Sequence, residues 1–124
     1  MKVAISSGGK TLESNVEQRF ARCPYYIIYN TGSDSFEAIE NESSTAGGGA
    51  GIRAAQRISD MGVEAVISGN IGPSAFRVLS AASVKIYSGV SGSIKDVVKD
   101  LKNGRYNEVS SPDVDSHFGI GKGN

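Results

Sequence analysis

The chain has 124 residues, a one-domain length with room for one hydrophobic core, and its 39% hydrophobic and 21% charged content is that of an ordinary globular domain. Thirteen basic and thirteen acidic residues give zero net charge. That removes the global basic footprint of a dedicated nucleic-acid binder, so no nucleic-acid partner is expected.

A single cysteine excludes an intrachain disulfide and fits a reducing cytoplasm. No run nears the ~20 apolar residues of a membrane span, and the first apolar run ends too soon for a signal peptide. A cytoplasmic location without membrane contact is expected.

Residues 3–5, Val-Ala-Ile followed by Ser-Ser-Gly-Gly, read as a short buried strand. Residues 7–23 are polar apart from Leu12, Val16 and Phe20, spaced by four, which fits one or two helical turns or a loop with three anchors. Pro24 suits a strand start, and Tyr25-Tyr26-Ile27-Ile28-Tyr29 is the strongest strand signal in the chain. The turn cluster Asn30-Thr31-Gly32-Ser33-Asp34 leads to a hairpin partner at 36–39, with Phe36, Ala38 and Glu40 on one face.

Residues 41–51 are rich in Gly, Ser and Thr and read as a flexible loop. Ile52, Ala55, Ile58 and Met61 then mark the apolar face of a helix that Gly62 stops. Val63 and residues 65–67 make a buried strand. Pro73 opens a helix that turns Phe76 and Leu79 inward, and residues 84–87 form the next strand. Ser93 caps a helix with Ile94, Val97, Val98 and Leu101 on one face, ended by Asn103-Gly104. From residue 107 the chain is polar and glycine-studded. A single α/β domain over 1–106 and a flexible C-terminal tail over 107–124 are expected.

Strand–helix–strand alternation requires parallel pairing with right-handed crossovers, and the early hairpin adds an antiparallel strand. The result is a mixed sheet with helices on both faces.

Three glycine- and serine-rich stretches, 43–51, 68–73 and 88–93, run directly into helical patterns. Helix N-termini carry unpaired N–H groups and partial positive charge, so each is a candidate anion site. The 68–73 loop follows a parallel strand, where ligands of open α/β sheets bind. Gly69 and Gly72 allow close backbone approach, and Asn70 tolerates unusual dihedrals. The bland alternative is a tight turn with no ligand. Gly49 and Gly51 belong to a stretch without a P-loop lysine and without a strand before it, which excludes a Walker motif and a dinucleotide fingerprint.

Arg22 beside Cys23 favours a thiolate there, although a lone cysteine at a strand start is often a buried hydrophobe. His117, near Asp113 and Asp115, is a candidate metal ligand or a solvated tail residue. Arg19, Arg22, Arg53 and Arg57 suggest a local positive surface. With one remote histidine there is no catalytic triad and no catalytic residue to name, so the protein is expected not to be an enzyme.

Several of these segments coincide with one family. Residues 16–26, Val-Glu-Gln-Arg-Phe-Ala-Arg-Cys-Pro-Tyr-Tyr, resemble its V-x-x-R-F-G-R-A-P-Y-F segment. Gly-Ala-Gly-Ile-Arg-Ala-Ala at 49–55 and Val-Ile-Ser-Gly-Asn-Ile-Gly-Pro-Ser-Ala-Phe at 66–76 resemble its two central motifs. Residues 84–87 and 92–95 resemble its last strand and helix. The family is the dinitrogenase iron–molybdenum cofactor biosynthesis proteins, and the resemblance, to a small stand-alone archaeal-type member, covers residues 1–104 in order.

It implies a three-layer α/β/α sandwich with a five-stranded mixed sheet of ribonuclease H-like type. It also implies a non-catalytic binding or carrier module for an iron–sulfur or iron–molybdenum cluster or its precursor, with cofactor-assembly proteins as partners and a monomer or weak dimer as its state. On that reading Arg22, Cys23, Gly49, Gly51, Gly69, Asn70 and Gly72 bind the cluster, with Cys23 and His117 as metal ligands. One departure stands out: many relatives carry a histidine just before Gly-Ala-Gly, and here that position is glycine. The alternatives are a phosphate- or nucleotide-binding regulatory domain, using the same helix starts without soft ligands, or a protein-interaction adaptor.

Overall fold

Side chains of the inner strands are buried on both faces of the sheet, which requires helices above and below it. The computed structural model describes residues 1–43 and 48–113. Its elements are β1 (Lys2–Ser7), a 3-10 turn (Phe20–Arg22), β2 (Tyr25–Asn30), β3 (Ser35–Glu40), α1 (Ala50–Asp60), β4 (Ala65–Ile67), α2 (Pro73–Ala81), β5 (Lys85–Tyr87) and α3 (Ile94–Lys102).

The sheet order is β3-β2-β1-β4-β5. β1, β2 and β3 pair antiparallel, while β1, β4 and β5 run parallel. This is the expected five-stranded mixed sheet, and its order is compatible with the ribonuclease H-like motif.

Period-two alternation sorts the core into two layers. Ala4, Tyr26, Ile28, Val66 and Ile86 face α1 and α2, meeting Ala54, Ala55, Ile58, Ala75 and Leu79. Val3, Ile5, Ile27, Tyr29, Ala65 and Ile67 face α3, meeting Ile94, Val97 and Val98. The sandwich therefore has three layers, with two helices on one side and one on the other. None of the described helices is long and apolar enough to cross a membrane.

Three details differ from the sequence reading or resolve it. Residues 8–19 form a loop with anchors rather than helical turns: Val16 and Phe20 are buried and Leu12 is partly so. The buried stripe of α1 is Ala50, Ala54, Ala55 and Ile58, whereas Ile52 is 37% exposed. Small residues lie on that stripe because α1 and α2 approach closely there: a Cβ on Gly51 would stand 3.7 Å from the Ala75 Cβ.

The third difference concerns the segment after residue 106. Residues 107–113 lack a hydrophobic period, but hydrogen bonds hold them against the domain. The Val109 N–H donates to the Ile86 carbonyl at 2.9 Å, and the Asp113 N–H donates to the Ile71 carbonyl at 2.9 Å. His117 and Asp115, with the rest of 114–124 and residues 44–47 of the loop before α1, lie outside the described residues.

Candidate functional site

The three glycine-rich helix starts have different fates. At α3 the chain uses the donors itself. The Ile94 and Lys95 N–H groups donate to the Ser14 and Leu12 carbonyls, both at 2.8 Å, and the Asp96 N–H donates to the Ser93 hydroxyl at 3.2 Å. The Asp96 carboxylate adds favourable charge in the first turn. This start is a closed cap.

The loop between β4 and α2 is fixed by the segment preceding the 3-10 turn. The Asn70 N–H donates to the Gln18 carbonyl at 2.6 Å, and the Phe20 N–H donates to the Asn70 carbonyl at 3.1 Å. On the other side, the Gly89 N–H donates to the Gly69 carbonyl at 2.8 Å. Beneath the loop, the buried Ser6 hydroxyl donates to the Glu17 carbonyl at 2.7 Å and lies 2.8 Å from the Ser68 hydroxyl. A Cβ on Gly69 would stand 2.7 Å from the Gln18 Cα, so this glycine is required by chain against chain.

Further along, the Ile71 N–H donates to the Asp113 carboxylate at 3.0 Å. Gly72 then heads α2 with extended dihedrals, no side-chain cap and no acidic residue in the first turn. Among the described residues nothing lies within 4 Å of where its Cβ would be.

α1 begins in a related way. Gly49 is its N-cap in the left-handed region (φ 85°), again with no side-chain cap and no acid in the first turn. The guanidinium of Arg53 folds back over it: a Cβ on Gly49 would stand 3.1 Å from the Arg53 Nη1. The start of α1 also touches the start of α2. A Cβ on Gly51 would lie 3.7 Å from the Ala75 backbone nitrogen and 3.8 Å from the Ala21 Cβ.

Two helix N-termini and the Arg22-bearing 3-10 turn thus converge at Gly51. Gly49, Gly51, Gly69, Asn70, Gly72 and Arg22 all belong to this junction or to the segments that build it. Arg57 is engaged elsewhere, donating to the Glu40 carbonyl at 2.5 Å.

Cys23 sits one residue beyond the 3-10 turn, but its side chain points into the core with no exposed surface. Its thiol donates to the Phe20 carbonyl at 3.3 Å. Burial pushes its pKa up to about 11, outweighing the hydrogen bonds from Tyr26 and other neighbours that lower it. The thiolate expected from the adjacent arginine is therefore not the form present at neutral pH: desolvation wins over sequence proximity. Asn41 braces the same segment, its side-chain amide donating to the Ala21 and Cys23 carbonyls at 3.0 and 2.8 Å. Tyr26, also raised chiefly by burial, donates to the Phe20 carbonyl at 2.6 Å.

Among the described residues no group of three His, Cys, Asp or Glu side chains could hold a metal ion. The junction's chemistry is that of N–H donors and arginines, suited to an anion. Two residues have roles here that the sequence did not assign to them: Gln18, and Asp113, which it marks only as a neighbour of His117. Gln18 lies inside the recognised 16–26 segment, and that segment was the available signal. Asp113 lies in a polar stretch with no periodic signal.

A mixed β3-β2-β1-β4-β5 sheet, with two glycine-headed helix starts in contact and no side-chain cap on either among the described residues, defines a small three-layer α/β protein. Within that class, residues 1–104 match the dinitrogenase iron–molybdenum cofactor family, and the chain belongs to it. The apo form of the orange protein from Desulfovibrio gigas is similar in structure, with a TM-score of 0.88 and 27% identity over 91% of this chain and 96% of that one. A Thermotoga protein provisionally assigned as NifB is 38% identical, with a TM-score of 0.80 over 93% of this chain and 98% of that one. An uncharacterized protein of Methanocaldococcus jannaschii is 30% identical over 108 residues, 85% of this chain and 88% of its own length. Family membership links the chain to iron–molybdenum cofactor biosynthesis or binding.

Proposed function

We propose that this protein is a non-catalytic carrier or binding module for an iron–sulfur or iron–molybdenum cluster or its precursor. The observation that carries this reading is the meeting of two uncapped helix N-termini at Gly51, with no acid in either first turn. Such clusters are anionic, and their sulfides accept N–H bonds. Helix starts without side-chain caps supply N–H donors and partial positive charge to such an anion.

The cluster is cargo, held here by backbone N–H groups around Gly49, Gly51 and Gly72. Arg22 and Arg53 add charge, and the Asn70 loop sets the floor. Cys23 packs the core under the junction and does not ligate. The cargo passes to and from cofactor-assembly proteins, which are its expected partners in the cytoplasm.

Anaerobic reconstitution with iron, sulfide and molybdate tests the reading. Charge-transfer absorption and metal retained through desalting are expected, in Cys23→Ala as in the wild type. Absence of both from the wild type would sink the proposal.

A second reading uses the same junction for a phosphate or nucleotide. The observation favouring it is that the described residues offer no accessible thiol, since Cys23 is buried in the core. A thermal-shift comparison separates the two, because a ligand that binds only the native state raises its stability by mass action. Stabilisation by nucleotides and not by tetrathiomolybdate would select the second.

A further inference from the structure

The chain leaving α3 turns back over the sheet edge. The Arg105 N–H donates to the Asp100 carbonyl at 3.0 Å, and the Tyr106 ring packs on Tyr87 with centroids 6.5 Å apart. Val109 then donates to Ile86, pairing one residue with the edge of β5 that no other described strand covers. Asp113 docks at two points: it accepts from the Ile71 N–H through its carboxylate and donates its own N–H to the Ile71 carbonyl. Ile71 stands directly before Gly72, the cap position of α2. That helix has no acid of its own in its first turn, so the negative charge beside its positive end comes from a residue 42 positions away.

We propose that residues 105–113 are an autoinhibitory strap. The Asp113 carboxylate holds the Ile71 N–H at the approach to the α2 start, and an anionic cargo binds fully only when it displaces that carboxylate. This rests on the reading that anions bind at the α1–α2 junction.

The strap is built to release. Only Tyr106, Val109 and Asp113 are even half-buried in it, and segments with so few buried contacts open at low free-energy cost. While the strap is closed, the apparent affinity of the junction falls in proportion to the open fraction. Release would coincide with loading and would uncover the β5 edge.

The test uses the full chain, with tetrathiomolybdate as the probe. Dissociation constants are measured for wild type, Asp113→Ala and Asp113→Asn, and amide exchange at Val109 is followed by NMR with and without probe. We expect Asp113→Ala to bind about fivefold more tightly, with Asp113→Asn between it and the wild type. Saturating probe should speed Val109 exchange in the wild type. Equal affinities with Val109 protection unchanged by the probe would overturn the strap while leaving the site intact. Weaker binding by Asp113→Ala would also overturn it, since the carboxylate would then be supporting the site. If no protein binds the probe, the cargo reading falls and takes the strap with it.

Discussion

α2 and α3 are both nine residues long, both follow a short parallel strand, and both are entered through a glycine-rich loop. They treat their N-termini in opposite ways. α3 has a serine cap, an aspartate in its first turn, and two backbone donors taken by the 12–14 loop. α2 opens on Gly72-Pro73 with neither cap nor acid, and its neighbour α1 opens on a left-handed glycine. A serine or aspartate cap is worth about 1 kcal/mol. The fold takes this stabilisation at one start and omits it at two touching starts, the contrast on which the proposed binding site rests.

The largest test of that contrast is Gly69→Ala. A Cβ there would stand 2.7 Å from the Gln18 Cα, a backbone contact that no rotamer change relieves. We expect a loss of about 3 kcal/mol in urea unfolding, and retention of wild-type stability would contradict the tight seating of the 18–20 segment on the loop.

Next comes the thiol beneath the junction. Its pKa is 9.0 when free and about 11 in the fold, so the native state holds this proton more tightly than the unfolded chain does. Its contribution is therefore complete below pH 9 and is lost as pH rises through about 11. That difference corresponds to about 2–3 kcal/mol. Tyr26, raised in the same sense, adds to the decline at higher pH in any variant that keeps it. Urea midpoints across pH 8–11 should fall less steeply in Cys23→Ala than in the wild type. An equal slope would mean that Cys23 titrates like an exposed thiol and is available to the junction as a ligand.

Ser93→Ala probes the closed end. Loss of the bond to the Asp96 N–H should cost about 1 kcal/mol, read from thermal or urea unfolding. Binding of an anionic probe should be unchanged, because α3 lies on the opposite face of the sheet from α1 and α2. Altered binding would erase the distinction between the two kinds of helix start.

The closed end was the more legible in sequence. Ser93, the Ile94–Val97–Val98–Leu101 stripe and the Asn103-Gly104 stop all follow local rules, and the structure keeps each of them. The mixture of parallel and antiparallel pairing also followed from alternation and from the hairpin at 30–34, whereas the order of strands in the sheet came only with the structure. The starts of α1 and α2 were legible only as two of three glycine-rich stretches, of which 68–73 stood out because it follows a parallel strand. What each of them meets among the described residues is decided by partners distant in the chain: Leu12 and Ser14 close α3, Gln18 shapes the Asn70 loop, and Asp113 reaches Ile71. Local propensity carries no trace of such contacts. Cys23 illustrates the same limit, since its neighbour Arg22 suggested a thiolate, while the direction of the side chain into the Phe20–Tyr26 core settled its protonation.

The smallest expected effect on stability is the most direct test of why α2 is left uncapped. Gly72 has φ −75° and ψ 175°, the extended geometry of an ordinary cap residue, and a Cβ there would meet nothing within 4 Å among the described residues. Serine therefore fits without strain, and its hydroxyl can accept from an N–H of the first turn of α2. Gly72→Ser should raise stability by a few tenths of a kcal/mol. The same hydroxyl competes with an anion for that donor, so the dissociation constant for tetrathiomolybdate should rise about two- to fivefold. A variant that is more stable and binds equally well would show that the cargo does not use the α2 start. A variant that is more stable and binds less well would show that the glycine trades helix stability for an open donor.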